Sequence, residues 1–328
     1  MSNLYPLKFN PIFKERIWGG EKLKSILNKN LPANKKIGES WELSAVEGNL
    51  SVVSNGFLKG NDLQELIEIY MGDLVGEKVY DKFGDEFPLL IKLIDASDDL
   101  SIQVHPDDKL AKERHNSYGK TEMWYVIAND NDAKIYVGFN QEVDREKYVK
   151  NLDQNKLADL LNVEISQPGD TFFIPAGRIH AIGKGNLIAE IQQTSDITYR
   201  MYDWGRVDVN GNARELHTEL AVDAIDYTHQ SSYKTEYKAQ PNQPATLADC
   251  DYFTTNLIRL DKGKLLETDY NTIDSFVIYM IMRGTVTINT QNHSEQGNLG
   301  ETILIPASIE SVNLKAETNC EILEIFIK

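Results

Sequence analysis

The chain is predicted to be mainly β, folded as two small β-barrels with helical insertions in and around the first. Three observations carry this prediction. Apolar and β-branched runs are short and are punctuated by Gly, Pro, Asn and Asp, the pattern of a sheet-rich protein. One motif occurs twice, as GDTFFIPA from Gly169 and as GETILIPA from Gly300, 131 residues further on, which suggests two copies of one β-unit. Helical periodicity is sparse. A length of 328 residues also exceeds what one hydrophobic core usually serves, so two domains, or one with a large insertion, match it.

In chain order, strands are expected at Ser40 to Val46, Leu89 to Ile94, Met123 to Ile127, Lys134 to Gly138, Thr171 to Ile174, Asn186 to Gln192 and Asn256 to Arg259. Between them, DLQELIEIYM (about 61–71) places Leu63, Leu66, Ile67 and Tyr70 at helical spacing behind Asn61 or Asp62 as N-cap. A second helical region spans 144–161, with Tyr148, Leu152, Leu157, Leu160 and Leu161 on one stripe, and a third begins near Ala213 and runs to about 225. Residues 231–244 are rich in Ser, Gln and Pro without apolar period, and read as a linker. The organisation is therefore a first domain over 1–230, the linker, and a second domain over 245–328. Met282 to Ile288 supplies a hairpin-like strand ahead of the second motif copy. Carrying the offset forward sets Ser308 where Gly177 stands and Ser311 where His180 stands, so the second copy keeps the turn and lacks the histidine.

The net charge of -16, from 34 basic and 50 acidic residues, argues against a nucleic-acid or anionic-membrane surface. An anionic ligand must meet a local basic pocket. The N-terminus has no apolar stretch behind a basic start, and runs such as Phe276 to Met282 are too short to span a bilayer, so a cytoplasmic location is expected. Cys250 and Cys320 lack metal-type spacing and read as reduced structural thiols.

Three short pieces suggest an enzyme site. In Gln103-Val104-His105, strand alternation puts the amide and the imidazole on one face; Glu122 opens another strand; His180 follows the turn made by Pro175 and Gly177. Either histidine alone reads as an ordinary core or surface residue. Together the four residues form a mixed N/O set suited to a borderline divalent ion, and softness alone admits Zn, Fe, Mn, Co or Ni. His115, His217, His229 and His293 lack such company and read as solvated or structural.

The stretch Gly169-x5-Pro175-x-Gly177-x2-His180 resembles the second motif of the cupins, with Lys184 where those proteins carry Asn and Asn186 two places late. Their first motif usually offers His-x-His; here Gln103-x-His105 stands instead, with Glu122 well downstream. That departure, with SIQVHPDD (Ser101 to Asp108), GKTEMWY (Gly119 to Tyr125), PAGRIHAI (Pro175 to Ile182), EIQQTSDITYR (Glu190 to Arg200) and the early RIWGG (Arg16 to Gly20), resembles the type I phosphomannose isomerases in their short bacterial form. The resemblance covers most of the chain and is weakest from Ser231 to Tyr252.

It implies two jelly-roll, cupin-like barrels and one zinc ion per chain on Gln103, His105, Glu122 and His180. It also implies interconversion of mannose 6-phosphate and fructose 6-phosphate through a cis-enediol, by a monomer or homodimer with no nucleic-acid or membrane partner. Such chemistry needs an electrophile, an acid/base and a grip on phosphate. Arg200 is a candidate for added positive charge at the sugar oxygens, and Lys120, Glu190 and Asp196 are candidate proton carriers. A carboxylate needs burial to hold a proton near neutrality, and a lysine needs a nearby cation to release one. For substrate contacts the candidates are Ser101, on the same strand face as Gln103, then Lys92, Arg178 and Trp18. Lys92 interrupts an apolar run and either snorkels or faces a polar cavity; Trp18 is either a pocket wall or core. Longer members carry Tyr where Ile182 stands. An iron-dependent cupin oxygenase and a non-catalytic sugar-binding cupin are the alternatives.

Overall fold

The computed structural model describes residues 3–207 and 211–328. Its strands gather into four main sheets and a two-stranded ribbon. In the first half, a six-stranded antiparallel sheet runs in the order Thr171–Ile174, Glu122–Asn129, Asn186–Gln193, Leu89–Asp95, Ile37–Leu43, Ile12–Glu15. Opposite lies a five-stranded sheet of Leu161–Ile165, Lys134–Phe139, His180–Ile182, Ile102–Val104 and Tyr199–Tyr202. Side chains from both, including Ile94, Trp124, Val126 and Ile188 on one side and Ile135, Val137 and Ile182 on the other, make the core between them.

The second half repeats the plan. Its six-stranded sheet is Leu7–Lys8, Thr302–Ile305, Val277–Arg283, Cys320–Phe326, Thr254–Leu260, Pro244–Asp249; a four-stranded sheet of Leu265–Asp269, Ser311–Ala316, Thr285–Asn289 and Ser294–Asn298 covers one face. The outer faces of the two six-stranded sheets share one core, where Leu89, Ile91, Met123 and Ile191 meet Leu257, Ile278, Leu304 and Leu323. Both six-stranded sheets are therefore buried on both faces. This explains why Leu89–Asp95 and Asn186–Gln193 are buried at every position rather than at alternate ones.

The expectation of two barrels is corrected. Among the described residues no sheet closes on itself, because each keeps two edge strands, and closure would need hydrogen bonds all the way round. Each half is instead a pair of open, facing sheets. The motif repeat holds in register: Ile174 pairs with Glu122 as Ile305 pairs with Val277, and Phe172 pairs with Trp124 as Ile303 pairs with Tyr279.

Expected strands appear with small shifts, the first as Ile37–Leu43 and Ala45–Val46. The helix Leu63–Tyr70 is capped by Asp62, whose side chain accepts from the Glu65 amide while Glu65 returns a bond to the Asp62 amide. Region 144–161 divides into a helix, Arg145–Asp153, a 3-10 turn, Leu157–Leu160, and a strand that begins at Leu161. The third helix covers only Thr218–Ala224. Ahead of it the backbone is drawn onto the strand of Arg200, where the His217 amide donates to the Arg200 carbonyl at 2.7 Å, and Arg214 is tied to Asp203 at 2.7 Å. Residues 231–244 hold close to the first half. The Tyr233 hydroxyl donates to the Phe139 carbonyl at 3.0 Å, Lys234 pairs with Asp170 at 2.7 Å, and the Tyr237 hydroxyl donates to the Gly169 carbonyl at 2.7 Å. At the other end of the chain, Leu7 and Lys8 pair with Leu304 and Ile303 of the second half. Among the described residues no helix is long and apolar enough to cross a membrane.

Candidate active site

Two facing rows of side chains build the site. On the five-stranded sheet, Gln103 is the register partner of both His180 and Arg200, so these three lie side by side across three strands. On the six-stranded sheet, Trp41, Lys92, Glu190, Trp124 and Phe172 form the facing row, each opposite the next. Glu122 stands one row along, opposite Gln192. Alternation sets the choice: Ile91 and Ile191, the neighbours of Lys92 and Glu190, point into the core behind the sheet.

His105, Glu122 and His180 converge, all buried, with one donor atom of each within 4.8 Å of the others. The His105 Nδ1 lies 2.8 Å from the Ile197 carbonyl and the His180 Nδ1 2.8 Å from the Arg178 carbonyl. Each Nδ1–H therefore donates to backbone, which leaves both Nε2 lone pairs aimed at Glu122, at 3.5 and 3.4 Å. Glu122 Oε1 has no hydrogen-bond partner although buried. A buried carboxylate with one oxygen unpartnered, and with one oxygen near each of two imidazole nitrogens that carry lone pairs, makes a donor set that a divalent cation can satisfy. The Gln103 amide reaches His180 Nε2 at 3.2 Å, and half a turn about its last bond directs Oε1 to the same point. Gly177 makes the turn to His180 possible: its φ of 86° lies in the left-handed region, and its amide donates to the His105 carbonyl at 2.9 Å, tying two ligand segments together.

Burial pushes His180 down to about 3 and His105 well below its ordinary range, so both rings are neutral and metal-competent at pH 7. Burial raises the Glu122 carboxyl, with Glu190 adding repulsion and Lys120 opposing. Glu190 moves the other way. Burial would raise it, but the charges of Lys92 and Lys120 outweigh that and hold it ionised. Its Oε1 accepts from Lys92 Nζ at 3.0 Å and its Oε2 from the Trp124 indole at 2.9 Å. Lys120 Nζ lies 3.0 Å from His105 Nε2 and donates to Glu122.

These groups open on a cavity of about 640 Å³, walled by Trp18, Ile94, Leu100 and Ile182 and lined by Ser101, Gln103, Lys120, Lys92, Glu190, Asp196 and Arg200. Of the residues singled out in the sequence, Arg178 is not brought to it. Its guanidinium donates to the Phe173 carbonyl at 2.9 Å and sits over the Tyr233 ring at 5.4 Å. The other histidines serve structure: His115 meets the Tyr199 hydroxyl at 2.8 Å, and His217 Nδ1 accepts from the Arg200 amide at 3.2 Å.

Sequence reasoning missed the cavity's rim. Lys14 and Arg16, with Glu39 and Trp41, form one wall, and Arg214 belongs to the wall of Arg200. Arg16 pairs with Glu39 at 2.8 Å, and the Lys14 ammonium lies 4.3 Å from the Trp41 ring centre. Alternation was the available signal, since Glu39 and Trp41 sit two apart on one strand, and Arg16 follows Lys14 by two just past the end of another.

The fold and this centre define a class: β-sandwich proteins with a buried two-histidine, one-carboxylate cluster that could hold a metal ion, beside a cationic cavity. Residues 6–141 match the model of the phosphomannose isomerase type I catalytic domain. The chain is 35% identical over 318 residues to a mannose-6-phosphate isomerase of Bacillus subtilis, covering 96% of this chain and 97% of that protein. It is 32% identical to the mannose-6-phosphate isomerase of Streptococcus mutans over 93% of this chain and 94% of that one. A solved mannose 6-phosphate isomerase from Bacillus subtilis superposes with a TM-score of 0.85 at 32% identity, covering 98% of this chain and 99% of that one. The chain belongs to the type I phosphomannose isomerase family.

Proposed function

We propose that the chain is a zinc-dependent mannose-6-phosphate isomerase that interconverts mannose 6-phosphate and fructose 6-phosphate through a cis-enediol, with its catalytic residues in the 1–230 part and no metal ligands in 245–328. The carrying observation is the convergence of His105, Glu122 and His180, each histidine fixed through Nδ1, against a cavity with cationic walls. Gln103, His105, Glu122 and His180 would hold the ion, which when bound supplies Lewis-acid stabilisation of negative charge on the sugar oxygens.

The isomerisation moves one proton between C1 and C2. Glu190 has both oxygens engaged by Lys92 and Trp124, so it works as a fixed charge that orients Lys92. Asp196 is exposed at the mouth. Lys120, buried beside the ligand atoms, is the residue we assign to carry the proton. Arg200, in one row with Gln103 and His180, adds fixed positive charge that counts most where negative charge grows in the transition state. Ser101 and Lys92 donate to the substrate, Trp18 forms a wall, and Lys14, Arg16 and Arg214 supply the cationic rim that a phosphate dianion requires.

A coupled assay tests the whole reading. Turnover of mannose 6-phosphate is expected to disappear on chelation and return with zinc, and His180→Ala is expected to lose both bound metal and turnover. Full activity of the metal-stripped enzyme would refute the mechanism.

A further inference from the structure

A second cavity, of about 540 Å³, lies in the first half of the chain, with Tyr252 of the second half at its edge, and belongs to no step above. Half of its lining, namely Asp108, Lys109, Lys112, Asn116, Ser117 and Tyr118, comes from the excursion that joins ligand His105 to ligand Glu122. Gln193, the end of the strand that carries Glu190, and Tyr252, from the second half, complete its floor.

The cavity's acids are committed. Asp108 Oδ1 accepts from the Gly119 amide at 2.8 Å and from Gln193 Nε2 at 3.0 Å, and its Oδ2 from the Tyr252 hydroxyl at 2.7 Å. Glu86 accepts from the Tyr118 hydroxyl at 2.6 Å. The cations of the excursion are not: among the described residues Lys109 and Lys112 make no ion pair, while the Lys82 ammonium lies over the Phe83 ring at 5.0 Å, although the chain carries 50 acidic residues against 34 basic ones. Two unpaired ammonium groups, with Lys82 nearby and the Ser117 hydroxyl and Asn116 amide beside them, match a tetrahedral polyanion better than a single carboxylate.

The floor connects to the catalytic groups. Gln193 Oε1 accepts from the Thr121 amide at 2.8 Å, between Lys120 and Glu122, and the preceding Gln192 accepts from Lys92 Nζ at 2.5 Å. We propose that this cavity is a regulatory site for a small phosphorylated metabolite, whose binding on Lys109 and Lys112 bears on the excursion that carries His105, Lys120 and Glu122. The binding part stands on this cavity alone; the regulatory part rests on the isomerase reading.

Inorganic pyrophosphate is the probe. Isothermal titration at fixed ionic strength is expected to show binding to the wild type that the double variant Lys109→Gln, Lys112→Gln weakens at least ~10-fold. Both lysines are exposed and outside the catalytic machinery, so the variant's melting temperature and its turnover without pyrophosphate should equal the wild type's. Pyrophosphate should change kcat of the wild type and leave kcat of the variant unmoved. Equal affinity in wild type and variant overturns the site, and so does an effect on KM alone that both share, since that places the probe in the catalytic cavity. An enzyme with no isomerase activity would sink the catalytic reading while the titration still decides this one.

Discussion

Trp124 touches both sides of the catalytic cavity. Its indole N–H donates to Glu190, and its ring edge meets the His180 ring at 5.2 Å and 81°. Trp124→Phe keeps an aromatic edge for the metal ligand and removes the donor to an ionised carboxylate, a bond worth ~1.5–3 kcal/mol. Zinc content and melting temperature should change little while kcat falls about 10-fold or more; unchanged kcat would mean that Glu190 is held without it. Arg200→Ala should keep its metal and lose ~10²–10³-fold in rate, the range for one electrostatic stabiliser. Full activity of that variant would remove Arg200 from the mechanism. The convergence of His105, Glu122 and His180 was legible because a glycine turn and strand alternation leave marks in the sequence. Trp124 left none. An aromatic residue in an apolar strand reads as core, and only the register opposite Glu190 turns its N–H into a contact.

At the scale of elements, the two halves place a carboxylate at one corresponding position. Glu190 is flanked in register by Lys92 and Trp124; Glu324 is flanked by Asn256 and Tyr279. In the second half these groups close on one another, with the Tyr270 hydroxyl donating to Glu324 at 2.6 Å and Asn256 at 2.8 Å. Val277 stands where Glu122 does, and Ser311 pairs with Asp269 as His180 pairs with Gln103. Burial raises the Glu324 carboxyl above its ordinary range. The folded state thus holds that proton at pH values where the unfolded chain has released it, and stability falls as pH rises through the window between the two. Glu324→Gln should flatten that part of the melting-temperature profile; an unchanged slope would assign it to other groups. The motif repeat exposed this correspondence in sequence, but the open sheets did not show, because alternation reports which face is buried and not whether edges meet. The helix Asp108–His115 also escaped notice: only Ala111 is buried, so no apolar stripe forms. Segment 231–244 reads as a linker because its anchors are tyrosine hydroxyls and a lysine, which have no period.

For the whole molecule, the shared core between the six-stranded sheets makes the halves depend on each other. Residues 245–328 expressed alone would expose Leu257, Ile278, Met280, Leu304 and Leu323. That fragment should bind hydrophobic dyes and melt without a cooperative transition, whereas a sharp melt would show that the second half folds by itself. Within an acidic chain, six of the 34 basic residues, Lys14, Arg16, Lys92, Lys120, Arg200 and Arg214, line one cavity.

The pairing of Leu7–Lys8 with Thr302–Ile305 has a consequence in time. Roughly 295 residues separate the first strand from its partner, so the partner leaves the ribosome well after it. At ~5–20 residues per second, the wait is about 15 to 60 s, during which Leu7–Lys8 has no edge to join and the second six-stranded sheet is incomplete. The outer face of the first sheet stays open to solvent, and to other nascent chains, until the second sheet has emerged to cover it.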